Sequence, residues 1–209
     1  MKVLNLYACL GGNRLLWDNC EVTAVELDKE LAKLYQERFP NDKVIVADAH
    51  QYLLDHYKEF DFIWTSPPCP THSVLNYSMP VKRYASMVLY QEILFLDNYF
   101  KGKYVVENVI PYYQPLIPAK KRGRHLYWTN FNLPTDIGER KNGKGIISVT
   151  GDEVEKLSIF HNYDFKKYKG KQRKDKIARN LVDYEAGKTI FDVARDTYKN
   201  TNTEQKSLF

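Results

Sequence analysis

The stretch Thr65–Ser73, TSPPCPTHS, sets a cysteine among prolines: Pro67 and Pro68 precede Cys69 and Pro70 follows it. Proline fixes φ and removes a backbone donor, so this thiol is aimed by its loop rather than left to swing. A cysteine that attacks a substrate must be partly exposed, fixed in direction and able to lose its proton, and a stiff rim loop supplies the first two. The opposed reading is a small buried hydrophobe, the commoner fate of a cysteine. Further on, VVENV brings Glu107 and Asn108 out of an apolar run. A glutamate there is either held in an ion pair or, beside a substrate, a proton donor with a raised pKa.

Upstream, NLYACLGGN carries Gly11 and Gly12 where a strand gives way to a turn, VELD ends a second strand with Glu26, and VIVADAH ends a third with Asp48. Glycines let backbone approach a ligand, and an acid at the end of the second strand typically holds ribose hydroxyls. Asp48 could take the amino group of a base. Each feature alone reads as a tight turn, a helix cap or a surface charge; together at successive strand ends they point to an adenosine-type ligand.

Elements of two kinds must position these groups. Short apolar or β-branched runs, KVLNLYA, EVTAVEL, KVIVAD, FDFIWTS, KYVVENV and RHLYWTNF, suit strands buried on both faces of a parallel sheet. Between them DKELAKLYQERF puts Leu31, Leu34, Tyr35 and Phe39 at helical spacing, with Asp28 as N-cap and Pro40 beyond the end. Val81 to Phe100 also reads as helix, with Leu89, Ile93, Leu94, Leu96 and Phe100 as its apolar set. The expectation is an α/β, doubly wound, mostly parallel sheet with ligand sites at the carboxyl ends of its strands.

Composition narrows the class. The chain has 209 residues, 44% hydrophobic and 14% aromatic, ample for a packed core. No run approaches the roughly 20 apolar residues of a membrane span, and no signal-peptide cleavage pattern opens the chain, so no membrane partner and a cytoplasmic location are expected. Cys9, Cys20 and Cys69 are odd in number and lack CxxC spacing, which argues against a disulfide framework or a cysteine-rich metal site. A net charge of +5 permits a polyanionic partner without specifying one. The texture changes beyond Asn132. Residues 1–133 read as the catalytic and cofactor-binding core, 134–176 as a short basic insert or extended loop region, and 177–209 as a segment returning to the core with a frayed tail. Lys166, Lys167, Lys169, Lys171, Arg173 and Lys174 suit phosphate contacts, with Tyr168 available for stacking and Ser73 as a further contact. A plain solvated charge run is the competing reading.

The series NLYACLGG, VELD, ADAH, SPPCPTHS, VVENV and KKRGRHLYW, in this order, resembles the DNA cytosine-5 methyltransferase family, marked by a Gly-rich first motif, a Pro-Pro-Cys loop, Glu-Asn-Val and an Arg-x-Arg strand. The resemblance resumes at ARNLVDYEAGKTI, similar to the family's last motif. It implies a Rossmann-like class I methyltransferase fold. It also implies S-adenosylmethionine held by Tyr7, Ala8, Leu10, Gly11, Gly12, Glu26, Leu27, Asp48, Ala49, Pro67, Asn180 and Val182. As the resemblance has it, Cys69 adds to C6 of a flipped-out cytosine, Glu107 serves N3, Arg124 holds O2 and Arg122 supports the loop or the substrate. DNA is the implied partner, a bacterial cell or phage-infected host the implied setting, and a specificity subunit or a second copy is left open.

Departures from the family pattern are specific. Cys9 stands where glycine is usual, Pro70 and Lys120 where glutamine is common, and Arg179 where glycine begins the last motif, while the stretch from Phe131 to Ile177 is far shorter than a usual target-recognition region. Cytosine-N4 methylation, for which TSPP would serve, needs no thiol. RNA as substrate and a non-catalytic nucleic-acid-binding protein complete the alternatives.

Overall fold

A computed structural model of the chain describes residues 1–74, 76, 79–81, 83–140 and 152–199. The middle of the basic insert, 141–151, and the expected frayed tail from residue 200 lie outside the described residues.

The strands are β1 (Lys2–Leu6), β2 (Glu21–Val25), β3 (Lys43–Ile45), β4 (Phe62–Thr65), β5 (Lys103–Val109), β6 (Lys120–Arg122) and β7 (His125–Thr129). They form one sheet in the order β3-β2-β1-β4-β5-β7-β6. Pairs β1–β2, β1–β4, β2–β3 and β4–β5 are parallel, and β7 runs antiparallel to both β5 and β6. The chain starts in mid-sheet, winds to one edge through β2 and β3, then crosses β1 to β4. The crevice at this reversal, beyond the strands' carboxyl ends, is where such sheets take ligands.

Helices α1 (Lys29–Arg38), α2 (Ala49–His56), α3 (Val88–Tyr99), α4 (Glu153–His161), α5 (Lys174–Asn180) and α6 (Tyr184–Ala194) flank the sheet. Asp28 caps α1 as the sequence predicts, accepting from the N–H groups of Glu30 and Leu31. Central strands are buried on both faces: β4 packs Ile63 with Leu4, Leu6, Leu89, Ile93 and Leu96 on one side, and Phe62 and Trp64 with Trp17, Ile190 and Phe191 on the other.

The sequence reading needs correction in three places. The third helix begins at Val88, not Val81: residues 83–87 form a loop, and Asn76 fixes its start by donating to the Arg83 carbonyl at 2.8 Å while accepting the Arg83 N–H at 3.1 Å. The polar stretch after residue 134 contains helix α4, whose Leu157 packs with Leu10, Leu31 and Leu34. Tyr168 is fully buried in that same cluster and donates its hydroxyl to Asp28 Oδ2 at 2.8 Å, so it has no face to offer a base.

Candidate active site

The loop leaving β1 alternates left-handed residues: φ is 54° at Tyr7, 49° at Cys9 and 65° at Gly11. Only glycine adopts that region without strain. Cys9 is held there because its N–H donates to Glu26 Oε2 at 2.8 Å, while the Asp28 N–H donates to the other oxygen at 2.9 Å. Burial raises the Glu26 carboxyl above its ordinary pKa against the pull of these donors. It raises the Cys9 thiol to about 12, with the Glu26 charge adding to the effect, so Cys9 is no nucleophile.

Tyr7 is anchored from below. Its hydroxyl donates to Glu92 Oε1 at 2.7 Å, Thr65 Oγ1 donates to Glu92 Oε2 at 2.6 Å, and His50 Nδ1 lies 3.1 Å from Oε1. Burial and then the Glu92 charge push the Tyr7 phenol strongly up, which keeps it a donor. Glu92 was not a sequence candidate, yet it left a signal: it falls three residues after Leu89 and four before Leu96, a carboxylate on the apolar face of a helix.

A cleft opens above this loop, lined among others by Tyr7, Ala8, Gly12, Ser66, Asn180 and Val182. Gly12 is required for its closure: a Cβ there would lie 2.4 Å from the Val182 carbonyl oxygen and 2.5 Å from Leu181 Cγ. The returning segment therefore rests directly on the first motif. Among the other predicted cofactor residues, Leu10 turns inward, fully buried against α1, and Gly11 lies under the rings of Tyr35 and Phe39. Leu27 is exposed; Asp48, also exposed, caps α2 through the Gln51 N–H at 2.9 Å; Ala49 and Pro67 are buried. The donor set fits an adenosine-type group. The Glu26 carboxylate accepts from the backbone N–H groups of Cys9, Asp28 and Leu27, and its acceptor capacity leaves room for a ribose hydroxyl.

Cys69 is half-buried at the end of the β4 loop, and its thiol donates weakly to Asn180 Oδ1 at 3.9 Å. Its loop is fastened at several points. The Cys69 carbonyl accepts from the N–H groups of His72 and Ser73, at 2.9 and 3.0 Å, and Asn108 Nδ2 donates to the Pro67 carbonyl at 2.9 Å. Buried Asn108, a neighbour of Glu107 in the sequence, thus locks the proline loop onto β5. Burial and then the nearby Glu107 charge raise the Cys69 thiol, with Lys176 drawing it partly back. Aim is thus supplied by the free chain, whereas easy ionisation is not. Glu107 is 6% exposed, and its Oε1 lies 3.6 Å from His125 Nε2.

Arg124 is exposed and donates to the Arg179 carbonyl at 3.3 Å, one residue before Asn180. Arg122 is engaged elsewhere: its guanidinium donates to the carbonyls of Lys121, Leu133 and Pro134. Lys166, Lys167, Lys169, Lys171 and Arg173 are exposed, Arg173 paired with Asp175, and Lys174 is half-buried at the start of α5. Ser73 is half-buried and bridges Pro111 through its backbone.

Comparison with known proteins gives one family, described as C-5 cytosine-specific DNA methylase, whose profile matches residues 1–110. No curated protein matches. Similar solved structures include a hypothetical protein of Thermus thermophilus, 19% identical with a TM-score of 0.43, covering 61% of this chain and 73% of that one. A DNMT2 mutant from Spodoptera frugiperda is 24% identical with a TM-score of 0.37, covering 52% of this chain and 35% of that one. A TehB-like SAM-dependent methyltransferase from Corynebacterium glutamicum is 18% identical with a TM-score of 0.36, covering 52% and 54%. The strand order with its reversed β7 is that of a Rossmann-like class I methyltransferase.

Proposed function

Because the chain belongs to the C-5 cytosine-specific DNA methylase family, we propose that it methylates C5 of cytosine in DNA through a covalent adduct of Cys69. The observation that carries the reading is the meeting of the Cys69 loop, the Glu107–Asn108 strand end and Asn180 at one rim, with the thiol 3.9 Å from Asn180 Oδ1 and Asn108 holding the Pro67 carbonyl at 2.9 Å. Amino methylation needs none of these groups in register with a thiol.

Tyr7, Ala8, Gly12, Glu26, Asn180 and Val182 would hold S-adenosylmethionine, which when bound supplies the transferable methyl group. The Cys69 thiolate forms a bond to C6 of the ring, and Glu107 places a proton at N3, which draws off the charge of that addition. C5 thereby becomes nucleophilic. Once C5 carries the methyl group, its proton passes to solvent water and Cys69 leaves as the thiolate, which restores the aromatic ring, and N3 returns its proton to Glu107. Arg124 at the rim would receive O2. The target base must leave its stack to reach a half-buried thiol. Phosphates would lie along the exposed lysines Lys166, Lys167, Lys169 and Lys171, contacts that set register and salt dependence without reading sequence. The short region after Leu133 takes the place of a larger recognition region.

Nucleoside mass spectrometry after incubation of DNA and RNA with the protein and S-adenosylmethionine tests the assignment. 5-Methylcytosine in the DNA digest is the expected product. The N4 isomer, or product in RNA alone, would replace this reading, and no product on either would leave a non-catalytic nucleic-acid binder.

A further inference from the structure

Beside Glu107 the structure carries a line of groups that the mechanism above does not use. His125, on β7, is nearly buried; its Nε2 is 3.6 Å from Glu107 Oε1 and its Nδ1 is 3.4 Å from Glu139 Oε1. The second contact is at ion-pair distance but not aligned as a hydrogen bond, and Nδ1 has no hydrogen-bond partner among the described residues. Glu139 reaches this place from the segment after β7 because residue 123 is a glycine. Gly123 has φ 51°, and a Cβ on it would lie 1.4 Å from Glu139 Oε2. A carboxylate fills the space a side chain would take.

Other groups face the line from each neighbouring element. Tyr127 on β7 pairs with Glu107 across the ladder, and its buried hydroxyl has no partner among the described residues. Arg124 adjoins from the β6–β7 turn, Asp183 with its partner Arg140 from the start of α6, and Cys69 from the β4 loop. An imidazole set between two carboxylates can donate to both only from both ring nitrogens, and the two spacings place one carboxylate oxygen at each.

We infer that His125 is a positioning residue that ties the active-site carboxyl of Glu107 to Glu139, so that residues after Leu133 bear on the chemistry through an acid–imidazole–acid line. This rests on the reading of Glu107 given above. When Cys69 bonds to C6, the proton of the Glu107 carboxyl passes to N3 and leaves a carboxylate; a His125 ring that carries a proton on each nitrogen throughout donates its Nε2–H to that carboxylate and its Nδ1–H to the Glu139 carboxylate. At elimination N3 returns the proton to Glu107, and the line recovers its starting state with no net proton gained or lost. The apo spacing is long, as acid–base contacts often are before substrate tightens them.

The test is spectroscopic first. Imidazole nitrogen NMR on the full chain at fixed pH, with the His125 signals assigned by their loss in His125→Gln, compares wild type with Glu107→Gln and Glu139→Gln. The expected result is a shift of the Nε2 resonance in the first variant and of the Nδ1 resonance in the second. Identical His125 resonances in all of them would overturn the inference, whether or not the protein methylates anything. The kinetic arm expects His125→Gln to lower kcat roughly tenfold to hundredfold, a fraction of a full acid–base contribution. The KM for DNA and the cofactor Kd should hold within about twofold, and adding Glu139→Gln should cause little further loss, the non-additivity of a shared line. Full kcat in His125→Gln would also overturn it. Should that variant fail to fold, Glu139→Gln keeps the imidazole and decides the matter alone. A wild type that makes no methylated nucleoside would remove the function proposed above while leaving the NMR result to decide the line.

Discussion

Two stretches of the chain meet at Cys69 by different means. Up to Val109 the groups sit on loops that leave the carboxyl ends of parallel strands: Tyr7 and Gly12 after β1, Glu26 after β2, Asp48 after β3, Cys69 after β4, with Glu107 near the end of β5. After Asp152 the chain is mostly short helices, and its contribution is closure. Asn180 touches the thiol, the Val182 carbonyl covers Gly12, the Arg179 carbonyl receives Arg124, and Tyr168 and His161 sit against α1 and the first loop. The groups proposed to react come from the sheet, and the returning segment packs over them. Such a division predicts different losses when either side is altered.

The largest loss should come from the sheet side. Cys69→Ala should lower methyl transfer by at least about four orders of magnitude, as removal of a covalent nucleophile does elsewhere, with the cofactor Kd from calorimetry unchanged. A variant that still transfers methyl groups would remove the covalent step. At the junction, Gly12→Ala drives a methyl group into the Val182 backbone and Leu181. It should cost about 1–3 kcal/mol of stability and weaken cofactor binding in the same titration, because the cover is pushed off the first motif. If Kd is untouched, Asn180 and Val182 are not part of the cofactor site.

The cover should also loosen in acid. His161, buried on α4, has its pKa lowered to about 3, chiefly by burial and then by Arg140. Its folded pKa lies below the unfolded value near 6.5, so the unfolded chain binds the extra proton. The sign follows: stability is intact above about pH 6.5 and falls as pH drops from there toward 3. At pH 5 the loss attributable to this group is about 2 kcal/mol. Urea midpoints at pH 7 and pH 5 should converge in His161→Gln relative to wild type; equal pH sensitivity would place the acid weakness elsewhere. The smallest effect belongs to Tyr168→Phe. Loss of its bond to Asp28 should cost about 1 kcal/mol and leave DNA affinity and its salt slope unaltered, where a stacking residue would have changed affinity.

What was legible in the sequence follows the same division. Strand-end motifs could be read because chemistry there demands residue types at particular places: glycine at the β1 turn, acid after β2, cysteine after the prolines. The structure sets those residues at the ends of the expected strands. Side chains that hold such groups in place were not legible, since any polar residue that reaches will serve. Asn108 fastening Pro67 and His125 with Glu139 are matched only through folding, and Glu92 beneath Tyr7 shows in the sequence only as a carboxylate on an apolar helix face, without its partner. The basic run misled in one particular. Spacing put Tyr168 among lysines as if presented with them, but a 3-10 turn at Phe165–Lys167 rolls its ring inward while the lysines stay in solvent. Helix α4 was hidden because its neighbours in sequence are polar and glycine-rich, and its apolar face exists only against Leu10, Leu31 and Leu34.

Covalent attack by Cys69 is the claim on which the rest depends, and trapping reads it directly. A duplex carrying 5-fluorocytosine, incubated with protein and S-adenosylmethionine, cannot lose fluorine as a cation, so a C6 adduct should accumulate. Intact-mass spectrometry followed by peptide mapping should show one DNA strand joined to the peptide containing Cys69, and no adduct in Cys69→Ala. An enzyme that yields 5-methylcytosine from ordinary DNA yet forms no adduct on the fluorinated duplex, or forms it equally well without Cys69, would contradict the account.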